Sequence, residues 1–451
     1  MTRNRAELKE WLKERRITEV ELLVPDMAGI ARGKILPTSK FLSGLDNDTL
    51  RLPESVFGQM VTGADAETEA LSYQAPDMIL VPDADTICVV PWYREPTAQV
   101  ICDCVDRKGK PNPHAPRQVL KDLLAKFKER NWRPVVAPEL EFYLAQKNID
   151  PDYPLLPPAG KSGRPQTGRQ AYAIDAVNEF DPMFEDVYDY CEAQEIGIDS
   201  LIHEEGVAQC EINFYHGDPL QLADQTFLFK RTVRQAALRH DIYATFMAKP
   251  YEQEPGSAMH IHQSIVDART GKNLFSNKNG KDTRLFLAYI AGLQKYLPAS
   301  MPLIAPYVNS YRRLVRYLSA PVNTHWGHEN RTVGLRVPES EQKGRRIENR
   351  VPGADANPYL AIASTLSCGY LGMIQNLTPT KPMEGNAYES MRYQLPRHLL
   401  DAIQRFRGSA DLREVLGAGF VDLYSDVKAS EHDAYQQVIS PWERQHLLLN
   451  V

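Results

Sequence analysis

The pattern of apolar and polar positions divides the chain into two parts. In the first part, an opening segment with helical spacing precedes strand-like runs at residues 19–24 and 30–36, which flank a turn typical of a hairpin. Further short strands follow up to about residue 105. We therefore predict a small β-rich N-terminal domain over residues 1–108, separated from the remainder by a segment rich in charge and proline.

The second part, residues 109–451, has longer helical patterns that alternate with strand-like segments. Apolar side chains recur at helical spacing in three segments, and the predicted helices lie at residues 118–130, 184–194 and 220–240. A charge-free run at residues 356–380 contains proline, glycine and many hydroxyl and amide side chains, so a buried helix is favoured over a membrane span. We expect one large domain that mixes helices and strands.

Four strand-like segments of the second part carry charged or polar residues on one of their two faces. In the segment 138–144, period-two alternation puts Leu140, Phe142 and Leu144 on one face and two glutamates on the other. The same alternation occurs at residues 209–214, 259–262 and 346–350. The acidic and imidazole side chains concerned, together with an acid upstream of the second strand, are Glu139, Glu141, Glu204, Glu211, His260, His262 and Glu348.

A solvated face explains any one of these strands, because an antiparallel sheet commonly has one wet side. Four such strands in one domain favour convergence on a common site. Clustered carboxylates then require cations to stay ionised, and carboxylate oxygens with imidazole are typical ligands of Mg²⁺ or Mn²⁺. Zinc is disfavoured because no cysteine or further histidine is spaced to complete a tetrahedral site.

Arginines near these strands indicate that the chemistry involves phosphate, since metal ions and guanidinium groups together hold phosphate oxygens in phosphoryl transfer. The sequence has no GxxxxGK[ST] loop and no kinase-like set of motifs, so an ATP site belongs to another fold. The arginines concerned are Arg313, Arg331, Arg336 and Arg350.

Composition and charge exclude several classes of protein. Hydrophobic residues make up 43% of the chain and charged residues 24%, which is typical of a globular rather than a disordered or fibrous protein. The net charge of −6 comes without basic clusters and argues against nucleic-acid binding. Six cysteines without CxxC spacing predict a reduced, cytoplasmic setting, and we expect a soluble protein without a signal peptide.

At these strands and at several further motifs, the sequence resembles the glutamine synthetase family, type I. The similarity runs over nearly the whole chain. The matching segments are Pro138–Phe142, His203-Glu204 to Glu211, Ala244–Pro250, Gly256–His262, Asn309–Val315, Asn330-Arg331, Arg346–Arg350 and Ala356–Leu360.

The resemblance implies an α+β fold. A small β-grasp-like N-terminal domain would precede a large catalytic domain in which helices flank a curved antiparallel β-sheet, a half-barrel. Family members are homo-oligomers, built as hexameric rings that often stack into dodecamers, with each active site between neighbouring subunits. The implied partners are glutamate, ATP as co-substrate and an amine, with two or more Mg²⁺ or Mn²⁺ ions per site. No nucleic acid or membrane is expected.

Matched position by position, the resemblance also implies roles for individual residues. One metal ion would be held by Glu141, Glu204 and Glu211. The second metal ion would be held by Glu139, His260 and Glu348. The nucleotide phosphates would be met by His262, Ser264 and Arg336. Glutamate and its activated carboxylate would be met by Gly256, Arg313, Arg331 and Arg350, of which Arg313 and Arg331 are also expected to act in catalysis.

The chain departs from ammonia-using members of the family at the amine site. Those members carry a glutamate in a flap after an Arg-Leu-Val motif, and Ser319 stands at that position in this chain. They also carry an aspartate that is missing near residues 52–56, where Glu54 lies one residue away as the candidate replacement. Loss of one of the carboxylates that surround the ammonium ion leaves room for an alkyl chain on the nitrogen. The alternative is a realigned flap, with an acid such as Glu329 in the missing role.

We therefore predict ATP-dependent ligation of the glutamate γ-carboxylate to a primary amine through γ-glutamyl phosphate. The sequence is similar to the γ-glutamylpolyamine (γ-glutamylputrescine) synthetase branch of the family, which acts in polyamine catabolism, so a polyamine such as putrescine is the expected amine. The alternatives are an ammonia-dependent glutamine synthetase and a non-catalytic assembly protein of the same family. Retention of all six metal-ligand positions disfavours the last.

Overall fold

The computed structural model describes residues 5–72, 74–389 and 394–451, whose strands form two sheets. The strands of the first sheet are β1 (Glu19–Pro25), β2 (Ala31–Pro37), β3 (Arg51–Pro53), β4 (Asp77–Pro82), β5 (Cys88–Val89) and β6 (Thr97–Val105). They are accompanied by the helices α1 (Arg5–Glu14) and α2 (Thr38–Asp46). The first sheet is therefore built before residue 106.

The first sheet has the order β2-β1-β6-β4-β3, with β5 paired to β6. β1 runs parallel to β6, and the other pairs are antiparallel. β1 is central and buried after Glu19, whereas β2 is a largely exposed edge strand. The predicted opening helix and the predicted hairpin of β1 and β2 are confirmed.

The second sheet comes from the remainder of the chain. Its strands are β7 (Trp132–Gln146), β8 (Ile198–His203), β9 (Gln209–Phe214), β10 (Ile242–Thr245), β11 (Met259–Asp267), β12 (Trp326–His328), β13 (Leu335–Val337) and β14 (Ile347–Asn349). Their order is β12-β13-β14-β11-β7-β9-β8, and β10 also pairs with β7. All pairs are antiparallel except β12 with β13. The four strands that the alternation predicted are thus neighbours in one sheet.

The second part also contains helices, several of which pack against this sheet. The helices are α3 (Pro116–Glu129), α4 (Ile174–Asn178), α5 (Asp181–Ala193), α6 (Pro219–Arg239), α7 (Arg284–Ser300), α8 (Val308–Arg313), α9 (Pro358–Gln375), α10 (Leu399–Gly408), α11 (Ala410–Leu416), α12 (Ala418–Gln436) and α13 (Pro441–Leu447). The three helices predicted from spacing correspond to α3, α5 and α6, with ends that differ by a few residues.

α9 is the charge-free segment, and it is buried on every side from Pro358 to Met373. It packs closely against α7, because Gly292 and Gly372 face each other. A Cβ on Gly292 would lie 2.2 Å from a carbonyl oxygen of α9, which only glycine avoids. The predicted buried helix is confirmed.

Among the helices that are described, none combines the length and the apolar character needed to cross a membrane.

A buried arginine joins the two parts of the chain. Arg117, at the start of α3, donates to Asp83 (2.6 Å) and Asp103 (2.7 Å) of the first part and to Asp224 of α6 (2.8 and 2.9 Å). The Tyr359 hydroxyl donates to Asp224 at 2.5 Å. These contacts cross the predicted domain boundary at residues 108 and 109, which stays a prediction.

Candidate active site

A cavity of about 670 Å³ lies over the polar face of the second sheet, and strand register explains why the predicted acids meet there. Glu141 of β7 lies opposite Glu211 of β9, and Glu139 lies opposite His260 of β11. Opposed residues of neighbouring strands are close enough for their side chains to interact. The charged and imidazole side chains that line the cavity are Glu139, Glu141, Glu204, Glu205, Glu211, His260, Arg313, Arg331, Arg336, Glu348 and Arg350.

Glu141, Glu204 and Glu211 form a group of three carboxylates, which we call the carboxylate group. One oxygen of each lies within 4.8 Å of the others, and Glu141 and Glu211 are buried. Glu141 accepts hydrogen bonds from the backbone N–H of Ala258 (2.7 Å) and from the amide of Gln209 (3.2 Å). Within the described ranges, none of the three acids makes a salt bridge.

Electrostatics make the carboxylate group costly to ionise. Burial raises the pKa of Glu141 to about 8, and repulsion from Glu204 adds to the effect. Burial also raises the pKa of Glu211 well above its usual range, with Glu139 and Glu141 adding repulsion. A bound cation removes this cost, and an all-oxygen donor set of this size fits a hard divalent ion such as Mg²⁺ or Mn²⁺.

Glu139 links the carboxylate group to the two histidines of β11. Its Oε1 lies 2.7 Å from His262 Nε2, and its Oε2 lies 3.3 Å from His260 Nδ1. Burial raises the pKa of Glu139, but hydrogen bonds from both histidines outweigh it and hold the pKa well below its usual range. Burial lowers the pKa of His260 to about 4, and Arg350 adds to the effect. A neutral imidazole at neutral pH is the form that binds metal ions.

The second set of predicted metal ligands also meets in the cavity. His260 Nδ1 lies 3.9 Å from Glu348 Oε1 and close to Glu139. Two further combinations have ligand atoms within 4.8 Å of one another, and both share Glu139: one adds Glu211 and His260, the other His262 and Glu348. The structure therefore brings all six predicted ligands together, and their division between two ions stays a prediction.

Glu348 differs from the carboxylate group because arginines surround it. Arg350 Nη1 donates to its Oε1 at 2.5 Å, and Arg336 Nη1 donates to its Oε2 at 2.8 Å. Burial raises the pKa of Glu348, but Arg350 outweighs it and the pKa falls to about 2. Glu348 is consequently an ionised residue that fixes the positions of two arginines.

The arginines of the cavity retain donors for an anion. Arg313 is buried and donates to two backbone carbonyls, at 2.7 and 3.0 Å. Gly256 lies against it, and a Cβ there would come within 2.4 Å of Arg313 Cγ. The Nε atoms of Arg336 and Arg350 are buried and have no hydrogen-bond partner among the described residues, which is unusual for buried donors and indicates an anionic ligand. Arg331 lines the cavity and is exposed.

A second cavity of about 390 Å³ adjoins the first and shares Glu139 with it. His262 and Ser264 line this second cavity, because alternate residues of β11 face the same side. Arg346 Nε donates to His262 Nδ1 at 3.2 Å. Two of the three residues predicted to meet nucleotide phosphates thus lie in the second cavity, and the third, Arg336, lies in the first.

The two acids proposed as replacements at the amine site do not line the cavity of this chain. Glu54 lies in the first part, where it accepts from the Asn112 amide at 2.8 Å and lies beside His114. Glu329 accepts hydrogen bonds from a backbone N–H and from Arg336. A role for Glu54 would require the cavity of a neighbouring subunit, so it stays a prediction.

Ser319 does line the cavity, and it contacts an acid that the sequence did not single out. Its hydroxyl donates to Glu205 Oε2 at 2.5 Å. Glu205 follows Glu204 in the loop after β8, outside the alternating strands, so the period-two pattern could not reveal it. The one feature of the sequence that could have indicated Glu205 as a site residue is its position next to Glu204, a predicted metal ligand. Tyr172 and Tyr388 also line the cavity without having been predicted.

Comparison with known proteins places these features in a family. A family model described as glutamine synthetase, catalytic domain, matches residues 113–447. The chain is 36% identical over 450 residues to γ-glutamylputrescine synthetase PuuA of Escherichia coli (strain K12), covering 98% of this chain and 94% of the relative. It is 30% identical over 450 residues to glutamate–isopropylamine ligase of a Pseudomonas species, covering 97% and 96%.

The fold has a counterpart among solved structures. Apo GmaS matches with a TM-score of 0.82 and 26% identity, covering 99% of both chains. The predicted fold class is confirmed by this match.

Proposed function

This chain belongs to the glutamine synthetase family, and we propose that it ligates the γ-carboxylate of glutamate to a primary amine, using ATP and passing through γ-glutamyl phosphate. The family and the ligase class predicted from the sequence are confirmed by the comparisons. A polyamine such as putrescine is the amine we propose.

The single observation that carries the proposal is the carboxylate group beside the arginines. Three acids that share no salt bridge within the described ranges lie next to buried guanidinium groups with unpartnered Nε atoms. A purely structural cluster gains nothing from either feature, since each costs stability. A site that binds divalent ions and phosphate oxygens together uses both.

The residues of the cavity suit the two steps of such a ligation. In the first step, a glutamate γ-carboxylate oxygen forms a bond to the γ-phosphorus of ATP and ADP leaves, while Arg336 and Arg350 stabilise the phosphoryl charge. Arg313, with Gly256 against it, orients the amino acid. Divalent ions held by the predicted ligands would offset the repulsion between the two anions.

In the second step, the neutral amine attacks the γ-carbonyl carbon, a C–N bond forms, and the C–O bond to phosphate breaks. The amine must lose a proton before it attacks, because an ammonium ion has no lone pair. A carboxylate near the carbonyl is therefore needed, which binds the ammonium form and then acts as the base that accepts its proton.

Two observations favour an alkylamine over ammonia. Ser319 stands in the flap where ammonia-using members carry a glutamate, which frees volume next to the reacting carbon. The two relatives described above are named for putrescine and for isopropylamine. Ammonia-dependent glutamine synthesis remains the second candidate, because other relatives are glutamine synthetases.

An amine panel tests the proposal. Purified protein receives ATP, Mg²⁺ and glutamate, and phosphate release is compared for putrescine, longer polyamines, monoalkylamines and ammonium. We expect putrescine or another polyamine to give the highest kcat/KM. Ammonium outperforming every alkylamine would replace the proposal by glutamine synthesis, and no release with any amine would favour the non-catalytic alternative. Light scattering of the same sample tests the expected hexameric or dodecameric ring.

A further inference from the structure

We propose that Glu205 is the carboxylate that binds the ammonium group of the amine substrate, an inference that rests on the ligase function proposed above. It would take over the role of the flap glutamate that Ser319 replaces. The ligand class is a primary alkylammonium ion, with its alkyl chain directed along the tyrosines of the cavity.

The first argument is position. Glu205 lines the same cavity as the carboxylate group, and its backbone N–H donates to Glu204 Oε2 at 3.2 Å. Its own side chain is 39% exposed, whereas Glu204 is half-buried and Glu141 and Glu211 are buried. Glu205 is therefore more accessible to a cation from solvent than Glu141 and Glu211 are.

The second argument is the contact with Ser319. A glutamate at position 319 would put a second carboxylate against Glu205, and the two negative charges would repel each other. A serine hydroxyl instead donates a hydrogen bond to Glu205 Oε2 at 2.5 Å. Ser319 adopts a left-handed backbone conformation, with φ of 60°. Non-glycine residues seldom adopt this conformation, and it indicates that the flap holds the hydroxyl in a required place.

The third argument is that the Glu205 carboxylate has unused hydrogen-bond acceptor positions. Two carboxylate oxygens offer about four acceptor positions. Ser319 uses one, and Arg169 Nη1 uses a second by donating to Oε1 at 3.3 Å. Arg169 is itself 44% exposed and also contacts Glu254 and a backbone carbonyl, so its pairing with Glu205 is a surface interaction of small energy. An ammonium group with three donors can therefore join Glu205 without displacing the serine.

The fourth argument is the aromatic surface around Glu205. Tyr172, Tyr317 and Tyr388 line the same cavity, and the rings of Tyr317 and Tyr388 lie 5.4 Å apart. Tyr172 and Tyr317 are 66% and 67% exposed. Exposed aromatic faces bind methylene groups and attract a second ammonium group by cation–π interaction. Ammonia has no methylene groups and no second ammonium group. This surface therefore favours an organic amine over ammonia.

The other candidate acids lie outside the cavity. Glu54 accepts from Asn112, and Glu329 is paired with Arg336. Neither lines the cavity of this chain. Glu205 is the acid that combines exposure, proximity to the reacting groups and a contact with the substituted flap position.

The variant Glu205→Gln tests the inference, because it keeps the shape and removes the charge. We expect the KM for putrescine to rise about 10- to 100-fold, the range for losing a charge-assisted hydrogen bond. The KM values for glutamate and ATP should change less than about twofold. Hydroxylamine is an uncharged nucleophile at neutral pH, so hydroxamate formation should keep most of its wild-type rate. The matched control is Glu192→Gln, on the exposed face of α5.

The outcomes separate the two proposals. A wild type without amine-dependent phosphate release would contradict the ligase function itself. An active wild type, with a Glu205→Gln variant whose putrescine KM stays within twofold, would overturn the role of Glu205 alone. Equal losses with putrescine and hydroxylamine would also overturn it, since they would indicate a structural role.

A second variant covers the case in which Glu205→Gln does not fold. Ser319→Glu leaves Glu205 in place and restores an acid to the flap. If the two positions share one role, this change should shift kcat/KM towards ammonium relative to putrescine by at least about tenfold. An unchanged ratio would contradict the inference.

Discussion

The aspartates around Arg117 and the glutamates of the carboxylate group are all buried or half-buried, yet within the described part of the chain only the aspartates form salt bridges. Arg117 donates to Asp83, Asp103 and Asp224, and Lys121 pairs with Asp103. In the carboxylate group, by contrast, three glutamates lie within 4.8 Å of one another, and within the described part of the chain none of them forms a salt bridge.

The pKa values of Asp103 and Glu141 differ accordingly, whereas burial outweighs Arg117 at Asp224 and raises the pKa of that residue. Burial raises the pKa of Asp103, but Arg117 and Lys121 outweigh it and leave the pKa below its usual value. Burial raises the pKa of Glu141 to about 8, and no contact reverses the shift. In a buried charge cluster that is neutralised internally, the removal of one partner destabilises the fold. A cluster that is not neutralised costs stability, and it is retained for a ligand that supplies the missing charge.

The largest effect should come from Glu211→Gln, which removes one acid of the carboxylate group. We expect ligase activity to fall about 10³- to 10⁴-fold, or about 4–5.5 kcal/mol of transition-state stabilisation, because a metal ligand is lost. Without divalent ions the variant should be at least as stable as the wild type, since repulsion is relieved. The checks are steady-state kinetics and thermal unfolding in EDTA.

Metal titration provides the control for that variant. Mn²⁺ at about 100 times its Kd should stabilise the wild type by about 2.7 kcal/mol and Glu211→Gln much less. An equal shift in both proteins would show that these acids do not bind the ion.

Arg117→Met should produce the opposite phenotype. Breaking a buried ion pair leaves carboxylates without a partner, and typically costs about 3–5 kcal/mol of stability. Urea unfolding measures the loss, and Arg164→Met, in an exposed loop, is the matched control. The Mn²⁺-induced stabilisation of the folded fraction should be unchanged. A variant with wild-type stability would contradict the view that this cluster is structural.

The two clusters also differ in how far they can be predicted from sequence. The acids of the cavity lie on strands, where period-two alternation makes a charged face visible, and antiparallel register then brings these faces together. Arg117 lies at the start of α3, and its partners lie just after β4, within β6 and within α6. No spacing rule connects such positions, because they meet only through packing of helices against both sheets.

The amine site could be predicted from sequence only in part, less well than the acids on the strands and better than the Arg117 cluster. Ser319 was found by its departure from a family motif, which located the flap but not the compensating acid. Glu205 sits in a loop, where neither alternation nor helical spacing applies, and its contact with Ser319 spans 114 residues of sequence. Glu54, the acid predicted from sequence proximity to a motif, lies beside Asn112 in the first part of the same chain. Loop side chains of this kind become visible only when the fold is known.

The smallest expected effect concerns the pH dependence of the Arg117 cluster. The pKa of Asp103 in the folded chain lies below its ordinary value of 3.8, because Arg117 and Lys121 outweigh the effect of burial. The stability that ionised Asp103 contributes is therefore present above the unfolded pKa and is lost as the pH falls through the folded pKa. Asp103→Asn should lose about 1.5 kcal/mol at pH 7, and its difference from wild type should shrink below about pH 3.8. Urea unfolding at pH 7, 5 and 3.5 measures that difference, with the exposed Asp122→Asn as control. If the difference in unfolding free energy stayed constant over this pH range, Asp103 would act through its shape and hydrogen bonds and not through its charge. That result would contradict the view that charge neutralisation distinguishes the two clusters.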